Sequence, residues 1–392
     1  MENQKIADTQ YTTHFLLDIL AKYYARYAPF KEITSIEETL ISKDRGFGSN
    51  IYRIELRSSE EVCYSVVCKF PTAQHLNDYL RKCNQESKKL SEKEVRAQEE
   101  LNRTQVRETH NREVDFYRFA EEFVTKDLKI PTFIYGEHMT EDSEGLIIMS
   151  DLSSFTQNGP SRGLTKSEAL KMVSTVCVLH AECHKHQELI ESRFQPVKSL
   201  VNCIKGYVTL GVNDLLSKGY SWFNQHLADR IIALADYEEL MKRMACSPEL
   251  GMPPVICHGD LWPANVLWLH DTNGSRQFAA LIDWQDCFVG SYANDLASIM
   301  AINMDYEVRK SCEKQVLQAY VDTMNGYRKM DGLDADLSYE KVYAAYKRAL
   351  PVALLIMITV LGNSFEDVAK NGDDLGKITK RFMKLLEEVD LE

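Results

Sequence analysis

The chain has 392 residues, 44% of them hydrophobic and 27% charged, which excludes a disordered or fibrous protein and gives room for two domains. Its formal net charge of −12 disfavours nucleic acid as a partner, although a local metal can still hold a nucleotide. Ten cysteines are scattered without a CxxC pair, and "MENQKIADTQ" carries no basic-then-apolar leader, so a cytoplasmic protein with reduced thiols is expected.

In chain order, residues 11 to 29 read as a helix with Phe15, Leu16, Ile19 and Leu20 on one face. "GSNIYRIELRSS" and "VCYSVVCKF" are short runs rich in β-branched and aromatic residues, the pattern of a hairpin or meander. From Thr72 to Ile130 there is neither Pro nor Gly, and charge of both signs is dense. One or two exposed helices are expected there, gaining an apolar face at Val114, Phe116, Tyr117 and Phe119. The charged run from 81 to 112 reads as a solvated face. "PTFIYGEHM" and "GLIIMSDL" read as two further strands.

Beyond Leu152 the pattern is mostly helical. "LTKSEALKMVSTVCVLHAECHKH" opens on Thr165 with Glu168 three residues later, the signature of a capped helix start. His180 and His184 lie four apart on that helix, but no HExxH glutamate accompanies them, so packing is favoured over zinc. Short apolar runs, "PPVICHGDLW", "ANVLWLH" and "FAALIDWQD", interrupt the helices, which resume from about 294. "ALPVALLIMITVLG" is too short to span a bilayer and reads as a buried helix. The expected organisation is α+β: a strand-rich first lobe over 1–149, a connector at 150–153, and a helical second lobe over 154–392.

Three places carry chemistry. In "HGDLWPAN", Asp260 precedes Asn265 by five, and Asp283 follows the short strand "AALI". Phosphoryl transfer requires a carboxylate to orient the attacking hydroxyl and hard oxygen ligands to hold a metal–triphosphate. Asp260 suits the first task; Asn265 and Asp283 suit Mg²⁺. His258 fits a supporting place beside the loop. Asp295 in "YANDLASI" either caps the following helix or holds the loop backbone. In the first lobe, Lys69 ends an apolar strand and Glu113 precedes the apolar helix face, the pairing that holds α- and β-phosphates in a kinase. Gly46 and Gly48 in "DRGFGSN" either cover phosphates with backbone N–H groups or form an ordinary hairpin turn. Of the tryptophans within these motifs, Trp268 reads as core, while Trp262 and Trp284 are open to either a core or an acceptor-facing role.

The runs HGDLWPAN, IDWQ and NDLA together resemble the choline-kinase-like and ecdysteroid-kinase-like small-molecule kinases, relatives of the aminoglycoside phosphotransferases. With "HNREVDFYRF", they look most like the nematode-rich branch of that group. The resemblance covers roughly residues 35 to 390. It implies a protein-kinase-like bilobal fold and use of ATP and Mg²⁺. It implies Asp260 as catalytic base, Asn265 and Asp283 as metal ligands, and Lys69 with Glu113 as the ion pair. It also implies Met149, Ser150, Asp151 and Leu152 as the hinge that contacts adenine. Ser150 replaces the acidic residue common at that point, leaving adenine contacts to the backbone.

The short spacing from Asp283 to Asp295 leaves no room for a long activation segment, and no APE motif follows. A small hydroxylated acceptor is therefore expected, held by the helices between about 195 and 250. "GYSWFNQHL" there either lines an apolar pocket or packs as ordinary helix, the second being favoured. No obligate protein partner and no membrane span are expected. Two rival readings are a choline or ethanolamine kinase and a nucleotide-binding pseudokinase scaffold. The presence of Lys69, Asp260, Asn265 and Asp283 together counts against the scaffold.

Overall fold

A computed structural model describes residues 3–42, 48–59, 61–87, 91–125, 127–157, 159, 161–196, 198–270, 276–363 and 372–389. The chain divides into two compact units, Met1–Glu122 with Pro131–Ser154, and Phe123–Ile130 with Phe155–Glu392.

The first unit is a five-stranded sheet in the order β1-β2-β3-β5-β4 with three helices. Its strands are β1 (Ser35–Leu40), β2 (Ser49–Ser58), β3 (Glu61–Pro71), β4 (Phe133–Glu137) and β5 (Leu146–Ser150), and every pairing is antiparallel. Strand period places Val66, Cys68 and Phe70 of β3 on one face. There they join Leu16 and Leu20 of helix α1 (Thr13–Tyr24), Ile54, Leu56 and Ile148 in one buried cluster. Each such aliphatic side chain contributes about 1.5–3 kcal/mol on burial. Lys69 alternates to the opposite face and is buried all the same.

Helix α2 (Gln74–Ser87) precedes helix α3 (Glu92–Phe123). The first half of α3 is mostly exposed; its later turns bury Val114, Phe116, Tyr117 and Phe119, the face its sequence pattern suggests. Strand β1 was not expected from sequence. Its "SIEETL" is polar and mostly exposed, as an edge strand can be, and Arg57 of β2 reaches Glu37 at 3.2 Å.

The second unit is mainly helical. Thr165 caps α4 (Lys166–Cys183) in a full capping box with Glu168. Next come α5 (Gln187–Arg193), α6 (Lys198–Ser217), α7 (Gln225–Leu234) and α8 (Tyr237–Met244). Two small sheets follow. β7 (Val255–Cys257) pairs with β10 (Phe288–Gly290), and β6 (Thr156–Gln157), β8 (Val266–His270) and β9 (Arg276–Leu281) form the other. The chain closes with α9 (Ala293–Ala297), a π-helical turn at Ser298–Ile302, α10 (Tyr306–Met330), α11 (Tyr339–Asn363) and α12 (Gly372–Glu388).

Residues 123–130 group with this second unit rather than with the strand-rich half. Leu281 N donates to Lys129 O at 2.9 Å, and the Phe123 ring lies 4.2 Å from that of His186. Among the described residues one helix, Tyr339–Thr359, is long and apolar enough to cross a membrane, but 67% of its apolar window is buried within the fold. That is the behaviour of a core helix.

Candidate functional site

The second unit brings three of the sequence-identified residues to one end of a hairpin. Strands β8 and β9 pair Val266 with Leu281. Asn265 therefore stands just before the start of β8, and Asp283 just past the end of β9. The backbones stay joined there, since Ile282 N donates to Asn265 O at 3.0 Å. Asp260 lies on the loop that leaves β7. The amide nitrogen of Asn265 donates to both Asp260 O and Asp260 Oδ2, each at 2.8 Å. That commits Asn265 Nδ2 and leaves Oδ1 as its donor atom toward a ligand.

Asp283 adopts φ 64° and ψ 67°, a left-handed conformation uncommon outside glycine. Strain of this kind costs on the order of 1–3 kcal/mol and collects at working sites. Gly259 is also left-handed, at φ 84°. A Cβ built there would sit 2.0 Å from the carbonyl oxygen of Asp286. The Gly of "HGD" is thus what lets the loop lie against the turn that follows Asp283.

His258 is fully buried, and its ring lies 4.4 Å from the Trp284 ring. Its Nδ1 accepts from Asp260 N at 3.3 Å, so Nε2 carries the hydrogen and donates to Ile282 O at 3.0 Å. Burial, the leading cause, lowers the His258 pKa and keeps the ring neutral, as this pattern needs. Asp295 lies in the first turn of α9, inside the helix rather than at its N-cap, which is Tyr292. Asp295 Oδ1 accepts His258 N at 3.0 Å, a bond to the loop backbone.

Asp260 is half-buried. Burial first, then the charges of Asp286 and Asp283, push its carboxyl up to about 8, against hydrogen bonds from Asn265 and Trp262. Two residues on this site went unassigned in the sequence. Asp286 adds negative charge beside Asp260. Asn303 donates to Leu261 O at 2.9 Å and holds the loop just past Asp260. The second D of "IDWQD" is a usable signal; Asn303 lies 43 residues from Asp260 and gives none.

In the first unit, Lys69 Nζ and Glu113 Oε2 are 2.6 Å apart, with side chains 6% and 1% exposed. Lys69 pairs in register with Ile51 and Ile147, and Glu113 comes from α3. Gly48 accepts a hydrogen bond from Thr72 N at 3.0 Å; Gly46 lies outside the described residues. Met149 is buried at the end of β5, and Ser150 is tied to Thr132, donating through N to Thr132 O and accepting Thr132 N at Oγ, both at 2.9 Å. Asp151 accepts from Ser65 Oγ at 2.7 Å and from Ser153 N at 2.8 Å, and its carboxyl is held below the usual range. Leu152 is partly exposed.

Other singled-out residues pack. Trp268 and Trp284 are core, at 1% and 0% exposure, while Trp262 is half-buried. His180 donates toward Asp295 and is fully buried. Tyr220 stacks on Trp222 at 5.3 Å, and Trp222 meets Phe382 of α12 at 6.1 Å. A shallow cleft of about 410 Å³ opens there, lined by Tyr220, Thr379, Met383 and Lys384 among others.

Mg²⁺ keeps several waters and takes one or two carboxylates together with substrate phosphates. Asn265 and Asp283, at the β8–β9 end beside Asp260, are the residues that could supply oxygens of that kind. Among the described residues no three His, Cys, Asp or Glu side chains form a protein-only metal cage.

Two nematode proteins of Caenorhabditis elegans are similar to this chain. "Uncharacterized oxidoreductase dhs-27" is 23% identical over 344 residues, covering 83% of this chain and 40% of that protein. "Uncharacterized kinase-like protein D1044.1" is 26% identical over 226 residues, covering 55% and 56%. The chain thus spans about half the length of the curated relatives it matches. Among solved structures, a choline kinase from Cryptosporidium parvum Iowa II is 13% identical with a TM-score of 0.49, covering 96% of this chain and 95% of that one. A family model, DUF1679, described as "Uncharacterized oxidoreductase dhs-27", matches residues 18–389, and the chain belongs to that family.

Proposed function

We propose that this chain is an ATP- and Mg²⁺-dependent phosphotransferase that moves the γ-phosphoryl group to a hydroxyl of a small molecule. The observation that carries this reading is the grouping of Asp260, Asn265 and the left-handed Asp283 around the β8–β9 hairpin end. Asn265 Oδ1 and the Asp283 carboxylate would hold Mg²⁺, which neutralises phosphate charge when bound. Asp260 orients the acceptor hydroxyl and receives its proton on the carboxylate. Its raised basicity suits that task, and a bound cation offsets the repulsion from Asp283 and Asp286. Lys69, set by Glu113, would meet the α- and β-phosphates, and the backbone of Met149–Leu152 would meet adenine.

The acceptor is small on this reading. Between Asp283 and Asp295 the chain forms only a 3₁₀ turn, β10 and the start of α9, with no extended platform for a peptide. The name of D1044.1, kinase-like, agrees. The word oxidoreductase in the other relative's name describes a protein of which this chain matches 40%. A dinucleotide-binding crossover unit needs parallel strands, and every strand pair among the described residues is antiparallel. Six of the eight described cysteines are buried in the core, which supports a reducing compartment.

The test is incubation of the protein with a metabolite extract and γ-labelled ATP, followed by mass analysis. A labelled small molecule that forms with wild type and not with Asp260→Asn is expected. Choline or ethanolamine phosphate as that product selects the narrower kinase reading. Mg-ATP binding without any transfer would select the scaffold instead.

A further inference from the structure

The catalytic loop is held by more than its own residues. His180, on α4, is 0% exposed, and so is Tyr320, on α10. Tyr320 Oη lies 3.0 Å from His180 Nδ1 and 3.9 Å from Met252 Sδ. The ring nitrogen is the better acceptor, so the hydroxyl hydrogen belongs on it. His180 Nε2 then carries the ring hydrogen and donates to Asp295 Oδ2 at 3.2 Å. The other oxygen of Asp295 accepts His258 N at 3.0 Å. The opposite tautomer would set a lone pair of Nε2 against the carboxylate, which is unfavourable in a buried site. Tyr320 is itself fixed, stacked on Tyr292 at 5.2 Å.

We propose that His180 is a positioning residue: through Asp295 it sets the loop that carries Asp260, and Tyr320 fixes which nitrogen of His180 bears the proton. The proposal rests on the phosphotransfer reading only where turnover is concerned; the anchoring itself is independent of it. His180 touches neither nucleotide nor acceptor, so its removal acts on loop geometry. Removing the outer partner of a metal-ligating residue typically costs about 10–100-fold in activity, and a loss of that order is expected for His180.

Three variants test this. His180→Leu fills the space but donates nothing; His180→Gln restores a donor toward Asp295; Tyr320→Phe removes only the hydroxyl. Folding of each is checked by urea titration. Amide hydrogen exchange at His258 and acceptor-independent ATP hydrolysis are then measured on the full chain. We expect exchange at His258 to speed by at least about tenfold in His180→Leu, with most protection regained in His180→Gln. Turnover should fall about 10–100-fold in His180→Leu with KM for ATP within about twofold, and recover in His180→Gln. In wild type, nitrogen NMR of labelled histidine should place the His180 hydrogen on Nε2, and Tyr320→Phe should move that signal. Unchanged His258 exchange in folded His180→Leu overturns the proposal, as does failure of His180→Gln to regain protection. Should His180→Leu not fold, the His180→Gln and Tyr320→Phe exchange and nitrogen spectra decide it. If wild type neither binds nor hydrolyses ATP, the phosphotransfer reading fails, and His258 exchange still decides the anchor.

Discussion

Replacing Gly259 by Ala isolates the close approach on which the loop geometry depends. At φ 84° an L-residue incurs the left-handed cost of about 1–2 kcal/mol. The added Cβ would also lie 2.0 Å from Asp286 O and 2.7 Å from Asp286 C, both backbone atoms that no rotamer change can clear. Relief requires separating two backbone segments by about 1 Å or more, well beyond the ~7° angle bends that cost about 1 kcal/mol each. The total expected is at least about 3 kcal/mol, by the sum of these terms. Gly219 and Gly332 are the controls: they share positive φ, at 64° and 72°, with nothing within 4 Å of a built Cβ. Their Ala variants should lose only the backbone part, about 1 kcal/mol. Urea unfolding of the three variants beside wild type measures the difference. A Gly259→Ala loss no larger than that of Gly219→Ala would refute the close approach and the loop placement drawn from it.

Asp260→Asn should keep Mg-dependent ATP binding while lowering turnover by about 10²–10⁴-fold, read in steady-state kinetics. The same variant should raise the stability of the ligand-free protein at neutral pH, since it removes a half-buried carboxylate that is repelled by Asp283 and Asp286. Glu168→Ala strands buried Arg276, which Glu168 holds through two bonds of 2.8 and 2.7 Å, and breaks the α4 capping box; a loss of about 3–5 kcal/mol is expected by denaturant titration. Burial lowers His110 to a pKa of about 4, so the folded state resists protonation that the unfolded chain accepts near 6.5. Stability should therefore fall as pH drops from about 6.5 to 4 and then level, with about 3 kcal/mol from this residue. His110→Asn should remove that share of the slope, measured by urea midpoints across the range.

Local chemistry made much of this legible in sequence. The Thr165–Glu168 box lies within four residues, so its helix start could be read directly. The spacing of Asp260, Asn265 and Asp283 reads as a site because a turn and a short hairpin leave few ways to separate them. Lys69 stood out because it interrupts an apolar strand, and strand alternation then fixes its face. What escaped depends on distant partners. β1 is polar and becomes a strand through its register with β2. Residues 123–130 join the second unit through a backbone bond to Leu281, 152 residues beyond Lys129. Asn303 and Tyr320 act on the loop from elements far along the chain, where no short motif marks them.

The most direct measurement of the central claim is calorimetric titration of ATP with and without Mg²⁺, on wild type, Asp283→Ala and Asp260→Asn. Metal-dependent binding in wild type, retained in Asp260→Asn and lost in Asp283→Ala, is the expected result. Binding that ignores Mg²⁺, or that survives intact in Asp283→Ala, would contradict a metal–nucleotide site at the β8–β9 end.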